Sequence, residues 1–150
     1  MDDIDSKILS ILQSDARTSN VELARQVGMA PSGVLERVRK LEERGAIRGY
    51  EARLNPRMLD AGLLAFTFVR ADEAVADLAT ERALAAIPEI QEVHHVAGED
   101  CYLVKLRVAD TEALQHVLRE RIGAIPAVRS TRTTIVLTTV KETANIPVKS

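Results

Sequence analysis

Tryptophan is absent from this chain, and two tyrosines and two phenylalanines are its whole aromatic content. Single-stranded nucleic acid is held by stacking bases on such rings, so that mode of binding is disfavoured. Cysteine is nearly absent: Cys101 stands alone, which excludes an intrachain disulfide and suits a reducing compartment. No uninterrupted apolar run approaches the roughly 20 residues that a membrane-spanning helix needs. The chain opens on Asp2, Asp3 and Asp5, where a secretory leader would carry basic residues. These absences lead to the expectation of a soluble cytoplasmic protein without a membrane partner. A large net charge is also lacking, since the formal value is −2 over 150 residues.

What is present is unevenly placed. Apolar residues make up 46% of the chain, enough for a buried core in one domain or two small ones. Between Arg17 and Arg57, nine Lys/Arg stand against five Asp/Glu, whereas from Ala61 onward ten stand against twelve. A mildly basic front half and a mildly acidic back half suit a DNA-binding module joined to a second module.

Residues 19–45 carry the strongest local signal. Ser19 and Glu22 have the S-x-x-E spacing of a capping box, so a helix is expected to begin at Asn20. Leu23, Ala24 and Val27 give it one apolar stripe, and Gly28 supplies its end. Pro31 suits the first turn of a following helix. There Val34, Leu35, Val38 and Leu41 recur at i, i+1, i+4 and i+7, which predicts one buried face. The opposite face presents Gly33, Glu36, Lys40 and Glu43, flanked by Ser32, Arg37 and Arg39. Ala30 precedes this helix where a capping hydroxyl or carboxylate is preferred, leaving N–H groups for a phosphate. A short helix, a glycine turn and a longer basic helix make the outline of a helix-turn-helix. A helix over residues 2–15, with Ile4, Ile8, Ile11 and Leu12 as its stripe, completes a three-helix unit.

Beyond Gly45 the period changes. Residues 47–54 read as a strand or wing, and Asn55-Pro56 ends it. Residues 55–62 read as a hinge. Strands are expected over 63–70, 90–96, 102–108 and 128–140, and helices over 75–87 and 111–122. Tyr102, Val104, Leu106 and Val108 fall on one face of the clearest strand, with Lys105 and Arg107 on the other. The order β-α-β-β-α-β is that of a ferredoxin-like sheet with two helices on one face. Its other face needs cover, which points to a dimer. The expected division is therefore 1–54, a hinge at 55–62, and 63–150.

The chain resembles the leucine-responsive and asparagine-synthesis regulator family (Lrp/AsnC), the feast-or-famine transcription regulators. The resemblance rests on Asp2-Asp3-Ile4-Asp5, on residues 19–24 and 35–42, and on Gly45-x-Ile47-x-Gly49-Tyr50. It continues through Leu54-Asn55-Pro56, Val96-Ala97-Gly98-Glu99-x-x-Tyr102-Leu103 and Thr131-Arg132-Thr133. Each motif is weak alone, and the ordered set is specific. The resemblance implies an α+β chain: an N-terminal winged helix-turn-helix and a C-terminal ferredoxin-like (RAM-type) sensing and dimerisation domain. It implies a sequence-specific regulator of amino-acid metabolism that binds double-stranded promoter DNA and assembles from dimers toward octamers. It further implies an amino-acid ligand between subunits and no other cofactor. Ser32, Gly33, Arg37 and Lys40 match recognition-helix positions, and Arg39 joins them as a candidate. Gly98, Glu99 and Tyr102 match the effector turn, and Asp100, Thr131 and Thr133 lie beside it. Two positions depart from the family pattern: Glu99 replaces the usual first Asp of the turn, and Cys101 the second.

The same residues admit other readings. His94, His95, Glu99 and Cys101 invite a metal, but adjacent strand residues face opposite ways and no ligand spacing is present. Cys101 reads as a structural residue at a strand start, and His116 as a surface or interface residue. Sirohaem decarboxylases resemble the same family in fold, so His94 or His95 could serve a tetrapyrrole enzyme. The basic helix and the effector-type turn argue against an enzyme, and no catalytic constellation is present. A DNA-organising protein without an effector is a further alternative.

Overall fold

The computed structural model describes residues 1–148, and its contacts divide the chain into two units. One is Met1–Arg53 together with the segment from Lys141, and the other is Leu54–Val140. The expected 63–150 domain therefore ends earlier by contacts, and its last two residues lie outside the described ones. Among the described residues no helix is long and apolar enough to cross a membrane.

Three helices build the first unit: α1 (Asp3–Ser14), α2 (Asn20–Val27) and α3 (Pro31–Glu43). The Asp2 side chain accepts the Asp5 N–H at 2.9 Å while Asp5 reaches back to the Asp2 N–H, so the complete capping box stands on α1. The box expected at Ser19 and Glu22 is half formed. Ser19 accepts the Glu22 N–H at 3.2 Å, but the Glu22 carboxylate goes to Arg25 and Gln26 instead. Gly28 ends α2 at φ +71°, a conformation that costs a residue with a Cβ and glycine nothing. Pro31 occupies the first turn of α3, and Ala30 before it makes no side-chain cap. Ile8, Leu23, Ala24, Val34, Val38 and Leu41 form the core of the unit. Leu35, expected in the buried stripe, is instead 55% exposed. At 100° per residue it stands well round the helix from Val34, Val38 and Leu41, which already fill the space against α1 and α2.

The C-terminal segment returns to this unit. Gln13 donates to the Ile146 carbonyl at 2.9 Å and accepts the Ile146 N–H at 2.7 Å, so its amide pairs with that peptide as a strand neighbour would. Arg53 donates to the Glu142 carbonyl at 3.1 Å.

The wing expected over residues 47–54 does not form a strand. A strand needs a neighbour to complete its ladder, and this stretch has none among the described residues. Tyr50 instead donates its phenolic hydrogen to Glu42 at 2.9 Å. Pro56–Leu59 then makes one 3-10 turn, capped by the Asn55 side chain on the Arg57 N–H.

The second unit follows the expected order. Strands β1 (Leu63–Ala71), β2 (Ile90–His95), β3 (Tyr102–Val108) and β4 (Val128–Ile135) make one sheet in the order β2-β3-β1-β4. All three ladders are antiparallel. Helix α4 (Ala79–Ala85) is shorter than expected, and α5 (Thr111–His116) runs on as a π turn over Val117–Ile122. Asp110 caps α5 by accepting the Ala113 N–H at 2.8 Å. One sheet face meets both helices and buries Ala65, Val69, Tyr102, Val104, Leu106 and Val108 against Leu84, Leu114, Val117 and Ile122. Thr67, fully buried on that face, shares a 2.8 Å hydrogen bond with Thr133 across β1 and β4. The expected last strand stops at Ile135, and Leu137 and Val140 beyond it are almost wholly exposed. This is the α+β fold read from the sequence: a helix-turn-helix and a ferredoxin-like β-α-β-β-α-β sheet.

Candidate functional site

On α3 the outward surface carries Ser32, Leu35, Glu36, Arg39, Lys40 and Glu43, all exposed, with Gly33 at its margin. A Cβ at Gly33 would meet the Met29 methyl at 3.1 Å, so a larger residue needs that flexible side chain to shift by a few tenths of an ångström. The cations of this helix are not idle. Arg39 is held by Glu36 at 2.8 Å and by Glu43 one turn on, and Lys40 approaches Glu36 at 3.4 Å. The Arg39 guanidinium beside Glu36 keeps that carboxyl below its usual range, with Lys40 adding to the effect.

Arg37 is turned away from the outward face. Its guanidinium bridges α3 to the start of α1, at 2.8 Å from Asp2 and 2.7 Å from Asp5. Hydrogen bonds to Asp2 and then Asp5 raise its pKa. Asp2 is lowered, first by the Asp5 N–H and then by Arg37. Sequence spacing grouped Arg37 with the reading face. In the structure its two ion pairs tie α3 to the start of α1. Nothing in the local pattern pairs residue 37 with residues 2 and 5, because that contact is tertiary. On α2, Arg25 and Gln26 both bond to Glu22, and together they hold its pKa at about 2. Arg44 and Arg48, by contrast, have no ion-pair partner among the described residues and extend the positive surface past the end of α3.

In the second unit, residues 97–100 join β2 to β3, and the Val96 N–H closes the turn on the Cys101 carbonyl at 2.9 Å. Gly98 sits at φ +121°, which strains any other residue there. The two acids lean on arginines of neighbouring strands. Asp100 pairs with Arg132 of β4 at 2.9 Å, and Glu99, 87% exposed, lies 3.9 Å from Arg70 of β1. Arg132 also rests over the Phe68 ring at 4.5 Å. Sequence reading named the acids and missed Arg70 as their partner, although strand alternation puts Phe68 and Arg70 on one face.

The remaining candidates lie on the other side of the sheet. Thr131 is in register with Val69 and Thr133 with Thr67, so both share the helix-covered face. Tyr102 is on that face too, 2% exposed, and donates its phenolic hydrogen to Glu73 at 2.5 Å. Burial and then the Glu73 bond push its pKa well above the ordinary value. The six effector candidates are thus divided by the sheet: Glu99 and Asp100 reach arginines on its open face, while Tyr102, Thr131 and Thr133 face the helices. Cys101 is half-buried and donates its thiol hydrogen to the Ala71 carbonyl at 3.2 Å. His94 bonds to Glu92 at 3.0 Å, and His95 stacks on Tyr102 with ring centres 5.1 Å apart. Their strand partners, Leu103 and Tyr102, put these two histidines on opposite faces.

This architecture recurs in known proteins. Two family models match the chain: the AsnC-type helix-turn-helix domain over residues 1–42 and the Lrp/AsnC ligand binding domain over residues 64–146. The chain is 43% identical over 152 aligned residues to the leucine-responsive regulatory proteins of Escherichia coli K12 and Salmonella typhimurium, covering 100% of this chain and 93% of each relative. A transcriptional regulator of Neisseria meningitidis solved as an L-Met complex superposes with a TM-score of 0.92 at 32% identity, over 98% of this chain and 96% of that one. A feast or famine regulatory protein from M. tuberculosis complexed with L-methionine does so at 0.89 and 36%, over 99% of both chains. The E. coli AsnC structure gives 0.90 at 30%, over 98% and 99%.

Proposed function

The chain belongs to the Lrp/AsnC family of helix-turn-helix transcriptional regulators, and on that premise we propose that it controls genes of amino-acid metabolism as an oligomer whose hold on promoter DNA is set by a bound amino acid. Helix α3 enters the major groove, with Ser32, Gly33, Arg39 and Lys40 toward the DNA and Arg37 fixing the helix in place. Dimers place two such helices on half-sites about one helical turn apart. The protein works in the cytoplasm, assembles beyond the dimer and carries no enzymatic activity.

The effector reading is carried by one observation: the 97–100 turn sets carboxylates and guanidiniums side by side on the open face of the sheet. An amino acid carries the same two charges on adjacent atoms. Its ammonium can take Asp100 or Glu99, and its carboxylate Arg132 or Arg70, by exchange of the existing pairs. Charge-assisted bonds of this kind are the stronger class. Gly98 leaves the approach free of a side chain, and a second subunit closes the site. Binding then shifts the assembly and, through linkage, the affinity for DNA. The relatives solved with methionine make an amino acid the first ligand to test.

The test is a thermal-shift screen of the full chain against the twenty amino acids, paired with retention of a promoter duplex. A ligand at a hundredfold excess over its Kd stabilises by about 2.7 kcal/mol. One or a few hits that also change duplex retention are expected. Asp100→Asn should abolish the response while leaving duplex binding intact. Silence across all twenty would overturn the effector reading and leave a DNA-organising protein.

A further inference from the structure

Leu35 is the one large side chain of α3 that has neither a place in the core nor a charge partner. The residues before and three after it, Val34 and Val38, are 0% and 9% exposed, whereas Leu35 is 55% exposed. It stands on the outward surface between Ser32, three residues earlier, and Arg39, four residues later. An isolated surface leucine is ordinary on most helices. Its setting here is not ordinary, because every cation of α3 is engaged: Arg37 by Asp2 and Asp5, Arg39 by Glu36 and Glu43, Lys40 by Glu36. Reading a guanine with any of these requires giving up an ion pair. Ser32 and Leu35 can meet a base edge without such an exchange.

Position favours the same two residues. The N-terminal half of a recognition helix comes closest to the base edges, and Leu35 is the fifth residue of α3. Ala30 makes no side-chain cap across that end, so no capping group has to be displaced for a close approach. A leucine has no donor or acceptor to offer. In the major groove a base pair presents one apolar feature, the 5-methyl group of thymine.

We propose that Leu35 is a specificity-determining residue that packs on a thymine 5-methyl group in each half-site. This rests on the reading of α3 as the DNA-facing helix. The consequence is a preference for thymine at one fixed position, set by apolar contact and not by an arginine.

The test uses the full chain. Duplexes are first selected from a random-sequence library, and each thymine of a selected duplex is then replaced singly by deoxyuridine, which removes only the methyl group. The wild-type protein should lose about fourfold in affinity at one thymine per half-site, the value of one buried methyl-sized group, and little at the others. Leu35→Ala should bind the thymine and deoxyuridine duplexes alike. Its salt dependence should match that of the wild type, since Leu35 touches no phosphate. Leu35→Met, apolar and of similar reach, should restore the methyl preference. If every deoxyuridine is neutral for the wild type, or if Leu35→Ala keeps the penalty, the assignment is overturned. A library from which nothing is enriched would instead overturn the DNA-reading function itself.

Discussion

The two units are held together by different forces. The helical unit rests on six buried side chains, while the sheet unit rests on a cluster twice that size among the described residues. The small core is supplemented by charge. Arg37 joins α3 to α1 through Asp2 and Asp5, Glu22 gathers Arg25 and Gln26, and Tyr50 reaches Glu42. In the sheet unit the interior is mostly apolar, with Thr67 and Thr80 buried in it and Tyr102 bonded to Glu73 at its edge, and ion pairs lie on the open face of the sheet. Apolar burial is insensitive to salt, whereas exposed pairs are screened and contribute roughly 0–1 kcal/mol each. The helical unit, with the smaller core, thus draws a larger share of its support from contacts that salt screens.

The largest effects should come from the cores. Ile8→Ala should destabilise the helical unit by about 2–5 kcal/mol, and Leu106→Ala the sheet unit by a similar amount. Thermal unfolding followed by circular dichroism gives the cost, and function separates the units. Ile8→Ala should lose duplex retention and keep the thermal response to an amino acid, and Leu106→Ala should lose that response first. Equal loss of both in either variant would mean that the units unfold as one.

Arg37→Ala should come next, lowering the melting temperature and weakening every duplex tested by a similar factor, because it loosens the whole helix. Selective loss at one base pair would return Arg37 to the base-reading group. Arg37→Lys should rescue in part, since an ammonium keeps the charge but not the fork geometry.

The tyrosines offer a smaller, cleaner comparison, because the chain has one in each unit and no tryptophan to mask them. Burial, helped by Glu42, pushes Tyr50 up to about 12, and Tyr102 is raised further by burial and Glu73. The folded state therefore favours the neutral phenol. The stability from Tyr50 is complete below about pH 10, the unfolded value, and is lost as the pH climbs through about 12. Absorbance titration should show a first phenolate step that Glu42→Gln moves down and Glu73→Gln leaves in place. A first step that follows Glu73→Gln would reverse the assignment.

Arg39→Ala should have the smallest effect on stability, near zero in the melt, because both its acid partners are exposed. Its signature should be a shallower salt dependence of DNA binding. A marked drop in melting temperature would show that surface pairs bear more of the helical unit than their exposure allows.

Much of this organisation was legible in the sequence because it depends on period and punctuation. The alternation of Tyr102, Val104, Leu106 and Val108 and the turn at Gly28 needed no tertiary knowledge. Leu35 was misplaced because an i, i+1 pair of apolar residues was read as one stripe, although they stand 100° apart. The capping box moved from Ser19 to Asp2 because Glu22 had competing partners one turn along. The wing failed to form because a strand is a relation between two segments and only one was in view. Thr131 and Thr133 entered the effector set through the motif that opens the last strand, but alternation sends them to the face opposite Arg132. The partners of Arg37 lie more than thirty positions away and left no local trace.

The hydrogen bonds between Gln13 and Ile146 have a topological consequence. The chain leaves the helical unit after Arg53 and returns to it at Lys141, so the sheet unit is an insertion within a discontinuous body. A protease nick in the 54–62 connection would not by itself release the helices. The severed pieces would stay together only through the amide clasp at Gln13 and the Arg53 grip on the Glu142 carbonyl, and dilution would separate them. Loss of the segment from Lys141 would remove both contacts, and a nick at 54–62 would then release the helices outright.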